Sequence, residues 1–124
     1  CETIDIISVP HPAADELIEH LRDLPKIHAV KMNGYHENVV DVLITHKDAT
    51  KTNAINTILS ILQIDKAHTI GIGNGYNDVE IFKAVGLKVA VANAVDELKQ
   101  KADLIIGDVT ADPVPRYLNS ILQK

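Results

Sequence analysis

Apolar positions along the chain follow two rhythms. TIDIISV (3–9) is short and β-branched and predicts a strand stopped by Pro10. In PAADELIEHLRDL (12–24), Ala13, Leu17, Leu21 and Leu24 recur at helical spacing, with Pro12 in the first turn and Pro25 beyond the end. KIHAVKM (26–32) and NVVDVLITH (38–46) read as two strands joined by NGYHE, where Asn33-Gly34 is a turn pair able to take positive φ. The first 46 residues therefore read β-α-β-β.

Beyond KDAT (47–50) the rhythm changes, which predicts a boundary between residues 1–47 and 48–124. KTNAINTILSILQI (51–64) puts Ala54, Ile55, Ile58, Leu59 and Leu62 on one helical face, with Thr50 as N-cap. HTIGIG (68–73) reads as a short buried strand, and LKVAVA (87–92) and LIIGD (104–108) as two more. Between and after them come DVEIFKAV (78–85), a helix ended by Gly86, and AVDELKQKA (94–102), capped by Asn93. A last helix to Leu122 opens at Asp112-Pro113. Helices and strands alternating with short connections predict parallel strands with helices on both faces.

Composition narrows the function classes. A length of 124 residues, 46% apolar and 23% charged, suits one ordinary domain or a small domain with an appendage. A net charge of −5 without any run of three Lys/Arg argues against nucleic acid or an anionic membrane surface as main partner. A small anionic ligand remains compatible, because a local site can differ in sign from the whole. The apolar runs fall short of the roughly 18–20 residues that span a bilayer. Cys1 is the only cysteine, so an internal disulfide is excluded and a reducing cytoplasm is expected. A first residue other than Met suggests a processed or fragmentary polypeptide.

Chemistry concentrates in GIGNGYND (71–78). In open parallel sheets ligands sit beyond the carboxyl ends of strands. Gly71, Gly73 and Gly75 allow close backbone approach there, and Asn74, Asn77 and Asp78 offer oxygen ligands just before a helix, as Mg²⁺ or a phosphate would need. The competing reading is a tight turn in which Asp78 merely caps the helix. G-x-G-x-x-G and the P-loop pattern are both absent. Lys51 opens a helix whose dipole it opposes, which suits either an anion at the sheet edge or a solvated lysine beside Asp48. The six histidines lack metal-site spacing, Ser8 and Ser60 lack a nucleophile signature, and Met32 and Phe82 read as core.

Taken together, Lys51, the Gly73-Asn74-Gly75-Tyr76-Asn77-Asp78 run, Val85-Gly86, Val89-Ala90-Val91, Asn93-Ala94 and Ala102-Asp103 resemble the C-terminal half of a haloacid dehalogenase (HAD) superfamily phosphatase, nearest the Cof-like subgroup. The resemblance implies an α/β, HAD-like (Rossmannoid) core half over 48–124, preceded over 1–47 by the tail of an inserted α/β cap. It implies Mg²⁺-dependent hydrolysis of a phosphate monoester, of sugar-phosphate type, through an aspartyl-phosphate. Lys51 would face the phosphate, Asn77 would lie close to it, and Asp78 with the residue at 74 would join the metal cluster.

Two departures stand out. The family's nucleophile motif D-x-D-G-[TS] has no counterpart, since no D-x-D occurs in the chain, and Asn74 stands where the family carries an aspartate. The expectation is a chain inactive alone, with weak or absent Mg²⁺ binding. Its partners would be a small phosphorylated substrate once an N-terminal segment completes it, and a second copy through dimerisation or strand exchange. A non-catalytic HAD-like binding module is the alternative. The phosphorylation domain of a P-type ATPase shares the loop, but the cap-like start and the lack of a membrane span speak against it.

Overall fold

A computed structural model describes residues 3–123; Cys1 lies outside the described residues. The β-α-β-β start is present as β1 (Ile4–Pro10), α1 (His11–Arg22), β2 (Ile27–Asn33) and β3 (Val39–His46). Its strands form an antiparallel sheet in the order β1-β3-β2. The remainder alternates as expected: α2 (Lys51–Leu62), β4 (Ile70–Gly73), α3 (Val79–Ala84), β5 (Leu87–Val91), α4 (Asp96–Lys101), β6 (Leu104–Ile106) and α5 (Pro113–Leu122). Its strands form a parallel sheet in the order β4-β5-β6. Residues 47–50 connect β3 to α2. Among the described residues, no helix is long and apolar enough to cross a membrane.

Each sheet has its own apolar cluster. Ala14 of α1 is buried against Val40 and Val42 of β3, with Ile6, Val9, Leu17 and Ile18 half-buried around them. Ile6 and Val9 are three residues apart and would face opposite sides of a regular strand. A bulge between them resolves the conflict: Ser8 takes φ 57°, and its N–H donates to Asp41 Oδ1 at 2.8 Å. The second cluster, Phe82, Ala90, Val91, Ala94 and Leu98, joins β5 to α3 and α4, and Phe82 is core as expected. By contrast, no residue of α2 is buried, and Ile58, Ile61 and Leu62 on it are exposed.

Several expected turns and caps work differently. No described glycine takes positive φ. At Asn33-Gly34 the strand runs on through Asn33, and Gly34 is needed for space, since a Cβ would lie 2.5 Å from the Val39 carbonyl oxygen. The left-handed cap of α2 is Gln63, at φ 54°. Helix α3 ends in extended Val85 rather than in a left-handed Gly86. Asn93 leaves α4 uncapped and instead accepts from the Val109 N–H at 3.2 Å, tying together the loops after β5 and β6. Asp112 precedes α5 in the left-handed region without a side-chain cap bond, while Pro113 takes the first helical position as expected. Thr50 does cap α2, accepting from the Asn53 N–H at 3.1 Å.

Leu98 is fully buried whereas Ile61 is 73% exposed. Leu98→Ala is expected to lower stability by about 2–5 kcal/mol, and Ile61→Ala to stay within roughly 0.5 kcal/mol, in urea unfolding of the two variants.

Candidate functional site

The carboxyl end of β4 is built around missing side chains. A Cβ on Gly71 would lie 2.8 Å from Ile81 and Val85, and one on Gly73 would lie 2.5 Å from the Asp78 Cβ. The space at Gly73 lets Asp78 fold back beneath the loop. Its Oδ2 accepts the backbone N–H groups of Asn74 at 2.9 Å and Gly75 at 3.0 Å. Its Oδ1 lies 3.0 Å from Lys51 Nζ, in an ion pair between loop and helix. The loop is fastened again where the Val95 N–H donates to the Asn74 carbonyl at 3.0 Å.

This geometry replaces both simpler readings of Asp78 and Lys51. Asp78 occupies the N-cap position of α3, yet its side chain makes no cap bond and serves the preceding loop. Lys51 pairs with Asp78 rather than Asp48, and Asp48 instead has the His46 ring 3.6 Å away. The cost of a cation at a helix start, a few tenths up to about 1 kcal/mol, is offset by that carboxylate.

Burial works to raise the Asp78 carboxyl pKa, but the Asn74 and Gly75 N–H donors and the Lys51 ammonium outweigh it, holding it below the ordinary 3.8. Glu80, a second buried carboxylate, escaped the sequence reading. Burial raises its pKa too, and hydrogen bonds from Lys83 and Thr52 prevail, leaving it below 4.5. Thr52 Oγ1 lies 2.7 Å from the Glu80 carbonyl oxygen and 3.0 Å from Glu80 Oε2, so the first turn of α2 is tied to α3 at two points. The available signal was an acid placed between Val79 and Phe82, both part of the core.

Lys51 and Asn77 line a cavity of about 70 Å³, together with Glu80 and with His28 and Thr45 from the antiparallel sheet. Lys51, Asn77 and Asp78 are thus brought together, while Asn74 is exposed on the loop. A larger cleft of about 420 Å³ between α1, β2 and α3 is lined by Lys31, Tyr76 and Lys83 but not by Lys51.

The donor set falls short of a divalent-cation site. Both Asp78 oxygens already have partners, Asn74 offers a neutral amide, and among the described residues no three His, Cys, Asp or Glu side chains converge. The expected pairing of Asn74 and Asp78 does not by itself fit Mg²⁺.

A parallel sheet carrying its polar groups at the carboxyl edge defines an α/β protein with a strand-end site. Residues 2–118 match the haloacid dehalogenase-like hydrolase family, and the chain belongs to it. It is 34% identical over 105 residues to a phosphoglycolate phosphatase of Sulfurisphaera tokodaii, covering 85% of this chain and 45% of that protein. It is 32% identical over 115 residues to phosphoglycolate phosphatase 1 of Saccharolobus solfataricus, covering 93% and 47%. The chain spans about half the length of these relatives. Among solved structures, a haloacid dehalogenase-like hydrolase from B. subtilis superposes with a TM-score of 0.76 at 20% identity, over 90% of this chain and 38% of that one. A HAD subclass IIB sugar phosphatase superposes at 0.73 and 20% identity, over 96% and 42%. At these identities the structural likeness concerns the fold.

Because the folded Asp78 pKa is depressed, its contribution to stability is complete above the ordinary value of 3.8 and is lost as pH falls through the folded value. The stability difference between wild type and Asp78→Asn is therefore expected to be largest near neutral pH and to shrink below about pH 4, in urea titrations across that range. Asp78→Ala is expected to cost about 2–4 kcal/mol at neutral pH, because two N–H groups and a lysine lose their partner.

Proposed function

We propose that this chain supplies the phosphate-facing part of a phosphatase for small phosphorylated, sugar-phosphate-like substrates. The observation that carries the reading is the Lys51–Asp78 pair at 3.0 Å, set beneath the glycine-lined loop at the end of β4. The pair fixes an ammonium, with Asn77, at the small cavity where an anion would enter. Lys51 would neutralise charge on the phosphoryl group, and Asn77 would hold one of its oxygens. The phosphoglycolate phosphatases among its relatives support a small phosphorylated substrate.

In this reading residues 1–47 are the tail of a cap and 48–124 half of the core. The nucleophilic aspartate, and the acidic ligands that Mg²⁺ would require, come from outside the chain. A reducing, cytoplasmic setting fits a sequence whose single cysteine is Cys1. A non-catalytic binding module is the second reading, favoured by the amide at Asn74 and the absence of D-x-D.

With p-nitrophenyl phosphate and Mg²⁺, the chain alone is expected to show no turnover, and a polypeptide carrying D-x-D-G-[TS] is expected to restore it. Mg²⁺-dependent hydrolysis by the chain alone, lost in Lys51→Ala, would overturn the claim that it is inactive by itself. Failure of any such complementation would favour the binding module. Orthophosphate is expected to perturb the amide resonances of residues 74–78, with affinity reduced at least tenfold in Lys51→Ala, roughly the loss of one charged hydrogen bond.

Self-association follows from exposed surface. Ile58, Ile61 and Leu62 of α2 and Leu122 of α5 are exposed, and β4 pairs only with β5 among the described residues. Sedimentation is expected to show a dimer or larger species, and a clean monomer at high micromolar concentration would refute it.

A further inference from the structure

We propose that the antiparallel sheet holds the glycine-rich loop in shape through Asn33, Lys31 and Tyr76, so that the phosphate-facing geometry depends on where that sheet sits. The proposal rests on the reading of residues 71–78 as a phosphate-facing loop. It adds Asn33 and Lys31, which lie more than 40 positions upstream of Tyr76, as positioning residues.

The Gly75–Tyr76 segment is gripped from two sides. From the core side, Asp78 Oδ2 takes the N–H groups of Asn74 and Gly75. From the other side, Asn33 Oδ1 at the end of β2 accepts the Tyr76 N–H at 3.3 Å. Asn33 lies so close that a Cβ on Gly75 would stand 3.0 Å from the same oxygen. A side chain at position 75 would thus crowd Asn33, and moving the loop away from β2 breaks a hydrogen bond.

The Tyr76 ring adds a second grip. Lys31 Nζ lies 5.0 Å from the ring centroid, in cation–π range, and the His11 ring meets it edge-on at 5.9 Å between centroids. Lys31 is itself anchored by Asp15 of α1 at 2.8 Å, with only 19% of its side chain exposed. The ring also packs against the cluster of Ala14, Val40 and Val42. One loop residue is thus engaged by α1, β2 and β3 of the other sheet. Its backbone continues within two residues to Asp78, the partner of Lys51. A displacement of the antiparallel sheet would be transmitted through Tyr76 to that ion pair.

The test is amide hydrogen exchange and chemical shift by NMR on the full chain, with orthophosphate as the binding probe. Asn33→Ala is expected to shift the Gly75, Tyr76 and Asp78 amides and to speed exchange at Gly75 and Tyr76 roughly tenfold, the scale of one lost hydrogen bond, while Val89–Val91 in the core keep their protection. Asn33→Asp, which keeps an acceptor oxygen in place, is expected to restore the loop. Lys31→Met, which removes the cation above the ring, is expected to reproduce the loop signature of Asn33→Ala. Unchanged loop amides in both Asn33→Ala and Lys31→Met, or faster exchange spread equally over Val89–Val91, would overturn the proposal. If wild type binds no orthophosphate, the phosphatase reading fails, and the amide signature still decides whether the sheet holds the loop.

Discussion

The Asp78 carboxylate is the point on which the strand-end geometry depends. One oxygen closes the loop by taking the Asn74 and Gly75 N–H groups, and the other holds Lys51 from a different element. Neither is possible unless position 73 lacks a side chain, because the Asp78 Cβ fills the space a Gly73 Cβ would need. The glycine, the acid and the lysine therefore form one constraint rather than three separate features. The loop's helical flank adds to it, since Glu80 ties Thr52 and thereby the start of α2 to α3.

Charge within this arrangement is nearly cancelled. Lys51 brings one positive charge, Asp78 one negative charge, and Asn74 none. A phosphate arriving at Lys51 meets a cation already partly compensated. Stronger anion binding needs either a loosened Lys51–Asp78 pair or further positive charge from elsewhere. The same accounting explains why the loop is internally satisfied without a metal: the carboxylate has the donors that keep it ionised.

What was legible in the sequence followed from short-range periodicity. Both rhythms, the parallel sheet and Thr50 as a cap could be read from strand and helix periods, whereas the direct pairing of Lys51 with Asp78 could not, because it depends on how the start of α2 meets the loop after β4. The bulge at Ser8 was not legible, because it serves packing between Ile6, Val9 and α1 rather than a local turn preference. Gly86 and Asn93 carried cap-like identities, yet tertiary partners claimed them, Lys66 and Ala67 for the first and Val109 for the second. Asn33 could not be connected with Tyr76 at all, since the contact depends on how two separate sheets meet. Asn74 remains as the sequence presented it, a neutral amide exposed on the loop.

Helix α2 carries Lys51 on its first residue and buries none of its side chains. Its first turn is pinned by the Thr50 cap, the Asp78 pair and the Thr52–Glu80 contact, whereas its later turns expose Ile58, Ile61 and Leu62. Segments with few buried contacts open at free energies well below that of global unfolding. Fraying will therefore start at the far end of α2 and stop at the pinned turn. How long the ammonium stays aimed at the loop is then set by the lifetime of one helical turn, whose opening does not require either apolar cluster to unfold.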